Sequence, residues 1–442
     1  YDGCEWKSGV LLTLFHFAEQ LSDASTCIEA LQVLRAMALN YPTLVSAYWE
    51  RVSILVYKLL QSVVDEDSPT TWKASTRDCV GYIGDKVLTA AIKVLDGCLR
   101  AISGFKGTED LQYDRLIDTP FTSDCIRSIR ISSAPSYGFV EPEFGQEPIF
   151  QAGCDQWSEA IRKHIVLVLH HGSAVVRSCT VTCFAGITSS IFASFNKQEK
   201  DFITSSLITA ALHDKTPSVR SAACRAIGVI SCFPETSLCA GIYENFIIAV
   251  EANTRDPLTS VRITASWALA NVCDSLRYRV DDMSFEGSKT TSQVVDSLIE
   301  CSLRLTEDGD KVKSNAVRAL GSISKYVKLR CMTSIKSLDE GVLPLAHQHS
   351  SNSHHLPCAG DSSWLERTVQ AFLSCVTTGN VKVQWNVCHA LSNLFSNETI
   401  KLQDMDWAPS VFSILLLLLR DASNFKIRIQ AAAALAVPTT PL

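Results

Sequence analysis

A 17-residue pattern recurs six times along the chain, and it restricts the possible folds more than any other feature. The copies read HGSAVVRSCTVTCFAGI, DKTPSVRSAACRAIGVI, DPLTSVRITASWALANV, EDGDKVKSNAVRALGSI, TGNVKVQWNVCHALSNL and ASNFKIRIQAAAALAVP. Their common anchor is the Val or Ile at Val176, Val219, Val261, Val312, Val383 and Ile427. The spacings are 43, 42, 51, 71 and 44 residues. Three intervals therefore share one period, and the two longer ones contain insertions, near 278–291 and 336–363.

The pattern has the periodicity of an amphipathic helix. In the third copy the apolar or small residues at offsets 0, +4, +7, +8 and +11 are Val261, Ala265, Ala268, Leu269 and Val272. At about 100° per residue these positions share one helix face. An apolar helix precedes each of the last five copies, so each of these repeats is a pair of helices. Because neither helix buries its apolar face alone, we expect the pairs to stack into an all-α solenoid.

The sequence divides into three regions. Residues 1–106 contain irregular helical repeats, with helices expected at 24–39, 44–64, 68–83 and 87–102. Residues 107–156 are rich in Pro, Ser and Gly, show no sustained period and predict a long, partly disordered loop. Residues 157–442 carry the regular repeat array.

Composition limits the class of protein. Of the 442 residues, 47% are hydrophobic and 19% charged, which is typical of a packed protein. The net charge of −6 disfavours a nucleic-acid-binding surface spread over the chain. Most of the 17 cysteines lie in apolar helical stretches, which indicates a reducing intracellular compartment, cytoplasmic or nuclear. The longest apolar run, 414–419, is too short for a membrane span, and the first residue, Tyr1, suggests a fragment.

The repeat period and the motifs carry a resemblance. A spacing of about 40–47 residues is typical of HEAT and armadillo repeats. DKVKSNAVRALGSI, KVQWNVCHALSN and NFKIRIQAAAALAVP resemble the C-terminal half of the eukaryotic HEAT repeat-containing protein six family, and DKTPSVRSAACRAIGV and SVRITASWALANVCDSL fit it too. The resemblance covers residues 26–437. It implies an α-solenoid that binds protein, with no catalytic residues and no cofactor.

A basic residue follows the anchor in five copies. It is Arg177, Arg220, Arg262, Lys313 or Arg428, with Gln384 in the remaining copy. An acidic residue lies six positions earlier in three copies, as Asp214, Asp256 and Glu307. Since six residues back is the turn inside the repeat, the basic side chain can reach carboxylates or carbonyls of its own turn and the next one. We therefore predict a structural ladder, which breaks at Gln384. The alternative is a basic stripe for an acidic ligand.

Offsets +3, +6 and +10 lie on a flank away from the core. The candidate partner-binding residues on this flank are Arg225, Trp267, Asn271, Arg318, His389 and Asn393. Trp267 and Asn271 resemble the Trp and Asn arrays with which armadillo importins hold extended peptides. Here only one copy has both residues, so helix packing and a peptide-binding groove both stay open.

Other motifs carry less chemistry. His347, His349, His354, His355 and Cys358 are zinc-ligand types, but their spacing fits no compact site, and a solvated loop is the expected structure. We predict no metal site. No GxSxG, HExxH or GxGxxG motif occurs, which favours a non-enzymatic chain.

The leading hypothesis is a scaffold that binds a protein or peptide partner on the concave surface formed by the second helices. The alternative is an importin-like transport receptor or adaptor for a cargo peptide. An enzyme and a nucleic-acid-binding protein are the weaker hypotheses. The sequence leaves the partner, the choice between cytoplasm and nucleus and the oligomeric state open.

Overall fold

The computed structural model describes residues 3–20, 23–64, 80–105, 147–280, 289–327 and 363–438. These residues form α-helices with short 3₁₀ and π segments, and no strand occurs among them. The chain divides into two compact units, Tyr1–Phe233 and Pro234–Leu442. Among the described helices, none combines the length and hydropathy needed to cross a membrane.

The described part of the first unit forms four helix pairs. The pairs are α1/α2, α4/α5, α6–α7/α8 and α10/α11, and the second helices α2, α5, α8 and α11 pack side by side in that order. The elements are α1 (Gly3–Ala18), α2 (Ala24–Asn40), α3 (Pro42–Ala47), α4 (Trp49–Val64), α5 (Val80–Ile102), α6 (Glu147–Glu159), a π-helical segment (Ala160–Ile165), α7 (Val166–Val168), α8 (Ala174–Cys183), a 3₁₀ turn (Phe184–Gly186), α9 (Ser189–Ser194), α10 (Lys197–His213) and α11 (Pro217–Ile230).

The second unit repeats this organisation over its described residues. The pairs are α13/α14, α16/α17, α18/α19 and α20/α21, and the second helices α14, α17, α19 and α21 again form a row. The elements are α12 (Pro234–Leu238), α13 (Ala240–Asn253), α14 (Thr259–Asp274), α15 (Arg277–Val280), α16 (Lys289–Leu305), α17 (Asp310–Tyr326), α18 (Ser363–Thr378), α19 (Val381–Phe395), a 3₁₀ turn (Leu402–Asp404), α20 (Ala408–Asp421) and α21 (Phe425–Leu435). The prediction of an all-α solenoid is confirmed. We call the side-by-side second helices of a unit its second-helix row.

Local sequence explains where the second helices begin. Asn380 caps α19 by accepting hydrogen bonds from the backbone N–H groups of Lys382 and Val383, at 2.9 and 3.1 Å. Asn424 caps α21 in the same way, and Pro217 opens α11, where its missing N–H costs nothing. The six anchor residues are at most 2% exposed. The recurring pattern therefore forms the core of the stacked pairs.

Small residues set the distance between neighbouring second helices. A Cβ atom added to Gly321 in α17 would lie 2.7 Å from the Cβ of Ala390 and 2.8 Å from its Cα, both in α19. The Cα is a backbone atom and the Cβ is bonded directly to it. Neither atom can therefore move away by a side-chain rotation. The contact between α17 and α19 thus requires Gly at this position.

Replacing Gly321 with Ala is expected to lower the free energy of unfolding by about 1–2 kcal/mol, because overpacking outweighs the better helix propensity of Ala. Urea denaturation followed by circular dichroism measures this. Gly97→Ala in α5 is the matched control. Its new Cβ meets the flexible Cγ of Arg35 at 3.2 Å, so the stability should be unchanged or higher. Equal loss in both variants would contradict the steric explanation.

The structure differs from the sequence prediction at some boundaries. One helix, α5, begins at Val80, whereas two helices were expected at 68–83 and 87–102. Helix α6 begins at Glu147, inside the predicted loop of 107–156, because its amphipathic sequence packs against α5 and α9. The other residues of that loop and most of the two insertions lie outside the described residues. The three-region division of the chain stays a prediction.

Candidate functional site on the second-helix rows

The arginine after the anchor joins successive turns. Arg177 donates to the carbonyls of His171 and Gly172 in its own turn, both at 2.9 Å. It also forms a two-pronged ion pair with Asp214 in the next repeat, at 2.7 and 3.0 Å. Arg220 contacts the carbonyls of its own turn, Asp214 at 3.1 Å and Lys215 at 3.0 Å. These contacts place arginines where the sequence predicted a ladder.

Arg262 repeats the arrangement in the second unit. It donates to the carbonyls of Asp256 and Pro257, at 3.0 and 3.1 Å. Its ion pair is with Asp308, at 2.7 and 3.2 Å, and the hydrogen bond from Arg262 lowers the pKa of Asp308. The side chains of both partners are about one-fifth exposed, at 22% and 20%.

The structure corrects the predicted pairing. Arg262 was paired with Asp256, but it binds the carbonyl of Asp256, whose carboxylate caps the backbone N–H of Leu258 at 2.9 Å. Among the ion pairs of the described residues, none involves Glu307 or Lys313, and Asp308 takes the role expected for Glu307. Gln384 donates to the Val376 carbonyl at 3.0 Å, so it keeps a turn contact without the charge.

Replacing Arg262 with Met should lower the free energy of unfolding by about 1–2 kcal/mol, because a charge-assisted pair across two repeats is lost while the stem volume is kept. Arg255→Met is the control, since Arg255 lies just after α13, pairs with Glu251 only four residues earlier in the same repeat and is 61% exposed. That change should cost less than about 0.5 kcal/mol. Chemical denaturation compares the two. Equal costs would show that the ladder adds nothing to stability.

Three of the predicted partner-binding residues are buried in the second unit. Trp267 is 6% exposed, Asn271 is fully buried and Arg318 is 7% exposed. Arg318 in α17 donates to the side-chain oxygen of Asn271 in α14, and it forms an ion pair with Asp274 at 3.5 Å. Ser322 also donates to Asp274. We call Asn271, Asp274, Arg318 and Ser322 the α14–α17 polar cluster, and its residues hold two second helices together.

Asparagines at offset +3 link neighbouring second helices. Asn315 in α17 donates to the Ile263 carbonyl at 3.3 Å and to the Ser266 hydroxyl at 3.0 Å, both in α14. Asn386 in α19 donates to the carbonyl and hydroxyl of Ser314 in α17, each at 2.7 Å. Asn315 and Asn386 are 5% and 6% exposed. In this unit the flank at offset +3 faces the neighbouring helix, not a partner.

The two remaining predicted residues of this unit lie on a half-exposed face of α19. Trp385 stacks on His389, with ring centroids 5.8 Å apart and planes 26° apart. The Nδ1 atom of His389 is 3.5 Å from the amide nitrogen of Asn393. All three side chains are half-buried. We call Trp385, His389 and Asn393 the α19 line. Trp385 was not among the predicted residues, although KVQW places it at offset +2, outside the core stripe.

Positive charge surrounds the start of this line. Lys382 and Lys311 are exposed at the beginnings of α19 and α17. Burial of the ammonium group, together with the charges of Arg318 and Lys311, lowers the pKa of Lys382. The charge of Arg318 is paired with Asp274, so Lys311 and Lys382 are the exposed cations of this neighbourhood.

Arg225 lies in α11 of the first unit and is half-buried. Burial and the positive charge of Arg100 together lower the pKa of Arg225. Arg100 extends from α5, where it donates to Asp96 at 2.7 Å and to the Thr182 carbonyl at 3.3 Å. The structure thus places Arg225 near Arg100 of its own unit.

The buried Ser53 and His164 meet the half-buried Glu159 in the first unit, and their function is structural. Ser53 donates its hydroxyl hydrogen to Glu159 at 2.8 Å, and His164 lies 3.0 Å from the Ser53 carbonyl, which only accepts. Trp49 donates to the same carboxylate at 2.8 Å. The His164 Nε2 atom also lies 3.3 Å from the Ser53 hydroxyl oxygen, but that hydroxyl donates to Glu159 at 2.8 Å and both Ser53 and His164 are buried. The cluster fastens the π-helical segment to α4.

His164 predicts a pH-dependent stability. Burial lowers the pKa of His164, so below about pH 6.5 the unfolded chain takes up a proton that the folded chain resists. Stability should therefore fall as the pH falls, by about 1 kcal/mol from this group between pH 7.5 and 5.5. Thermal melts at both pH values should show a smaller change for His164→Gln. His213→Gln, at an exposed site, should keep the wild-type change, and identical behaviour of the two variants would refute this origin.

No metal site is visible in the part of the chain that the structure describes, where no group of three His, Cys, Asp or Glu side chains could hold an ion. The histidine-rich segment with His347, His349, His354, His355 and Cys358 lies outside the described residues. The described cysteines are free thiols. Burial raises the pKa of Cys98 to about 12, so its thiol stays protonated at neutral pH.

Comparison with known proteins supports the repeat assignment. The model of the HEAT repeat family matches residues 205–231, which extend from α10 into α11. A putative uncharacterized protein of Dictyostelium discoideum is 23% identical over 346 residues, covering 60% of this chain and 23% of that protein. The chain spans about a quarter of the length of this relative.

Solved structures with a similar fold include two further proteins. Importin beta aligns with a TM-score of 0.47 and 12% identity, over 97% of this chain and 46% of that chain. A designed armadillo repeat protein in complex with the peptide (KR)4 aligns with a TM-score of 0.40 and 17% identity, over 62% of this chain and 98% of that chain. The matched repeat and the stacked helix pairs define this chain as a HEAT/armadillo-type helical repeat protein.

Proposed function

We propose that the chain is a non-enzymatic scaffold that binds a partner protein through the outward faces of its second-helix rows. The α19 line carries this proposal. A Trp that stacks on a His beside an Asn, all half-exposed, offers a rigid apolar surface with polar groups next to it. Such side chains supply much of the binding energy at protein interfaces. Solenoids use the surface lined by successive repeats for this purpose.

The position of Asn271 argues against the importin-like alternative. An asparagine array holds a peptide only when its amides are accessible, but Asn271 is fully buried and accepts a hydrogen bond from Arg318. The exposed cations Lys311 and Lys382 would also repel a basic cargo peptide. Binding of a protein segment that is not basic fits the α19 line better. Membership of the HEAT repeat-containing protein six family, and an intracellular location, stay predictions that agree with this function.

Affinity capture with paired variants tests the function. Trp385→Ala combined with His389→Ala should lose a partner protein that the wild type captures, while the thermal melt moves by no more than a few degrees. Ile248→Ala is the matched control, because it truncates an exposed apolar side chain on a first helix, α13. It should keep the partner. Retention of every partner by the Trp385 and His389 variant, or equal loss in the control, would overturn the proposal.

A further inference from the structure

Four cations lie across the second-helix row of the first unit. Arg35 is on α2, Lys93 and Arg100 are on α5, and Arg225 is on α11. We call these four residues the basic row. Arg35 and Lys93 are exposed, and Arg100 and Arg225 are half-buried. The whole chain has a net charge of −6, so this local excess of positive charge runs against the composition.

The fold positions two of these side chains across the neighbouring helix. The Cγ atom of Arg35 lies 3.2 Å from the point where a Cβ of Gly97 in α5 would stand. The side chain of Arg100 lies 2.8 Å from the corresponding point of Gly186, in the 3₁₀ turn after α8. Gly at both positions leaves room for an arginine stem. The basic row therefore runs across the helix axes, from one second helix to the next.

Further contacts hold Arg100 in this place. Its guanidinium carbon lies 4.7 Å from the ring centroid of Phe105, and it donates to Asp96 and to the Thr182 carbonyl. A guanidinium fixed on three sides loses little conformational freedom when an anion binds. Arg100 is the fixed centre of the basic row, with more mobile cations beside it.

The carboxylates near the basic row do not balance its charge. Asp96 is half-buried and ion-paired with Arg100. Glu29 and Asp85 line the other end of a groove between α2 and α5, with a cavity volume of about 900 Å³. Arg35 and Lys93 line this groove too, so its end nearest Arg100 is the positive one. The net positive charge at this end attracts an anion.

We propose that the basic row binds an extended segment of a partner protein that is rich in Asp and Glu, an inference that rests on the proposed scaffold function. Neighbouring second helices are about 9 Å apart, so three steps from α2 to α11 cover about 27 Å. An extended chain of about eight residues has this length. Carboxylates about three residues apart would meet Arg35 and Arg100, and one about six residues further along would meet Arg225, which is two helix steps away.

Fluorescence anisotropy with a labelled ten-residue peptide of Glu and Ser tests the proposal on the full chain. The wild type should bind it, with affinity that falls as salt rises. Arg35→Glu combined with Lys93→Glu should weaken binding at least about tenfold. Lys197→Glu with Lys215→Glu makes the same change in net charge at exposed positions away from the row and should leave the affinity within about twofold.

Several results would overturn the inference. They are a wild type that does not bind the acidic peptide, equal losses in the two charge-reversal variants, and tighter binding of a single-stranded RNA of ten nucleotides with the same dependence on Arg35 and Lys93. Arg35→Gln with Lys93→Gln guards against misfolding, because it removes the charges without adding repulsion and should give an intermediate affinity. If the acidic peptide does not bind while the Trp385 and His389 variant still loses its partner, the scaffold function stands. Only the inference of an acidic partner segment is then wrong.

Discussion

Replacing Trp267 and Asn271 together with Ala is expected to lower the free energy of unfolding by about 4 kcal/mol or more. Trp267 is 6% exposed and Asn271 is fully buried, and loss of a core Trp alone typically costs about 3–5 kcal/mol. Removal of the Asn271 amide also takes away one of the acceptors of the buried Arg318 guanidinium. Urea denaturation and thermal melts measure the change.

The control for this experiment is Trp385→Ala, which truncates a Trp on the half-exposed face of α19. It should cost about 1 kcal/mol or less, because little buried volume is lost. An unchanged melt for the Trp267 and Asn271 variant would contradict their place in the α14–α17 contact. It would restore the hypothesis that these two residues bind a peptide.

Replacing Arg318 with Ala should destabilise the second unit by about 3 kcal/mol. Its guanidinium pairs with Asp274 and donates to Asn271, and removal of one partner leaves a largely buried carboxylate without its counter-charge. Denaturation of the full chain, followed by the Trp fluorescence and circular dichroism signals, measures the loss.

A double-mutant cycle separates the ion pair from simple packing. Asp274→Asn alone should cost less than Arg318→Ala, because Ser322 still has an acceptor there. The double variant should be more stable than the sum of the single losses predicts, by at least about 1 kcal/mol. Strictly additive losses would show that the two charges do not interact.

The core was predictable because its pattern is local. The anchors Val176, Val261 and Val312 follow helix periodicity, and all are fully buried. The burial of the residues at offsets +6 and +10 was not predictable, because it depends on the neighbouring second helix. In the sequence of one helix, Trp267 and Asn271 lie on a flank that is expected to be exposed. In the structure α14 and α17 pack closely, and Arg318 of α17 donates a hydrogen bond to Asn271.

The pairing of the ladder arginines was also not predictable from one repeat alone. The sequence placed Arg262 and Asp256 six residues apart, which is the reach of one turn, so pairing within the repeat was the natural expectation. The structure gives the carboxylate partner in the next repeat, Asp308, while the Asp256 carbonyl fills the local role. The spacing of residues within one repeat does not show how close the turn of the next repeat lies to Arg262. Trp385 was missed for a related reason, since it does not recur in other copies.

On the proposed function, the partner contacts exposed residues that vary between repeats, while the recurring residues build the fold. Arg35, Lys93 and Trp385 do not belong to the repeat pattern, and all three have exposed or half-exposed side chains. Arg262 and Asn386 belong to recurring positions and are bonded between repeats. A partner that recognises this chain is expected to contact the first kind of residue.

A charge-swap titration tests the binding surface most directly. Ten-residue peptides of Glu with Ser and of Lys with Ser are titrated into the wild type, the Arg35→Glu and Lys93→Glu variant, and the Lys197→Glu and Lys215→Glu control. We expect the acidic peptide to bind the wild type and the control but not the row variant, and the basic peptide to gain affinity only on the row variant. Equal affinity of the basic peptide for the two variants would contradict direct contact between the basic row and its partner.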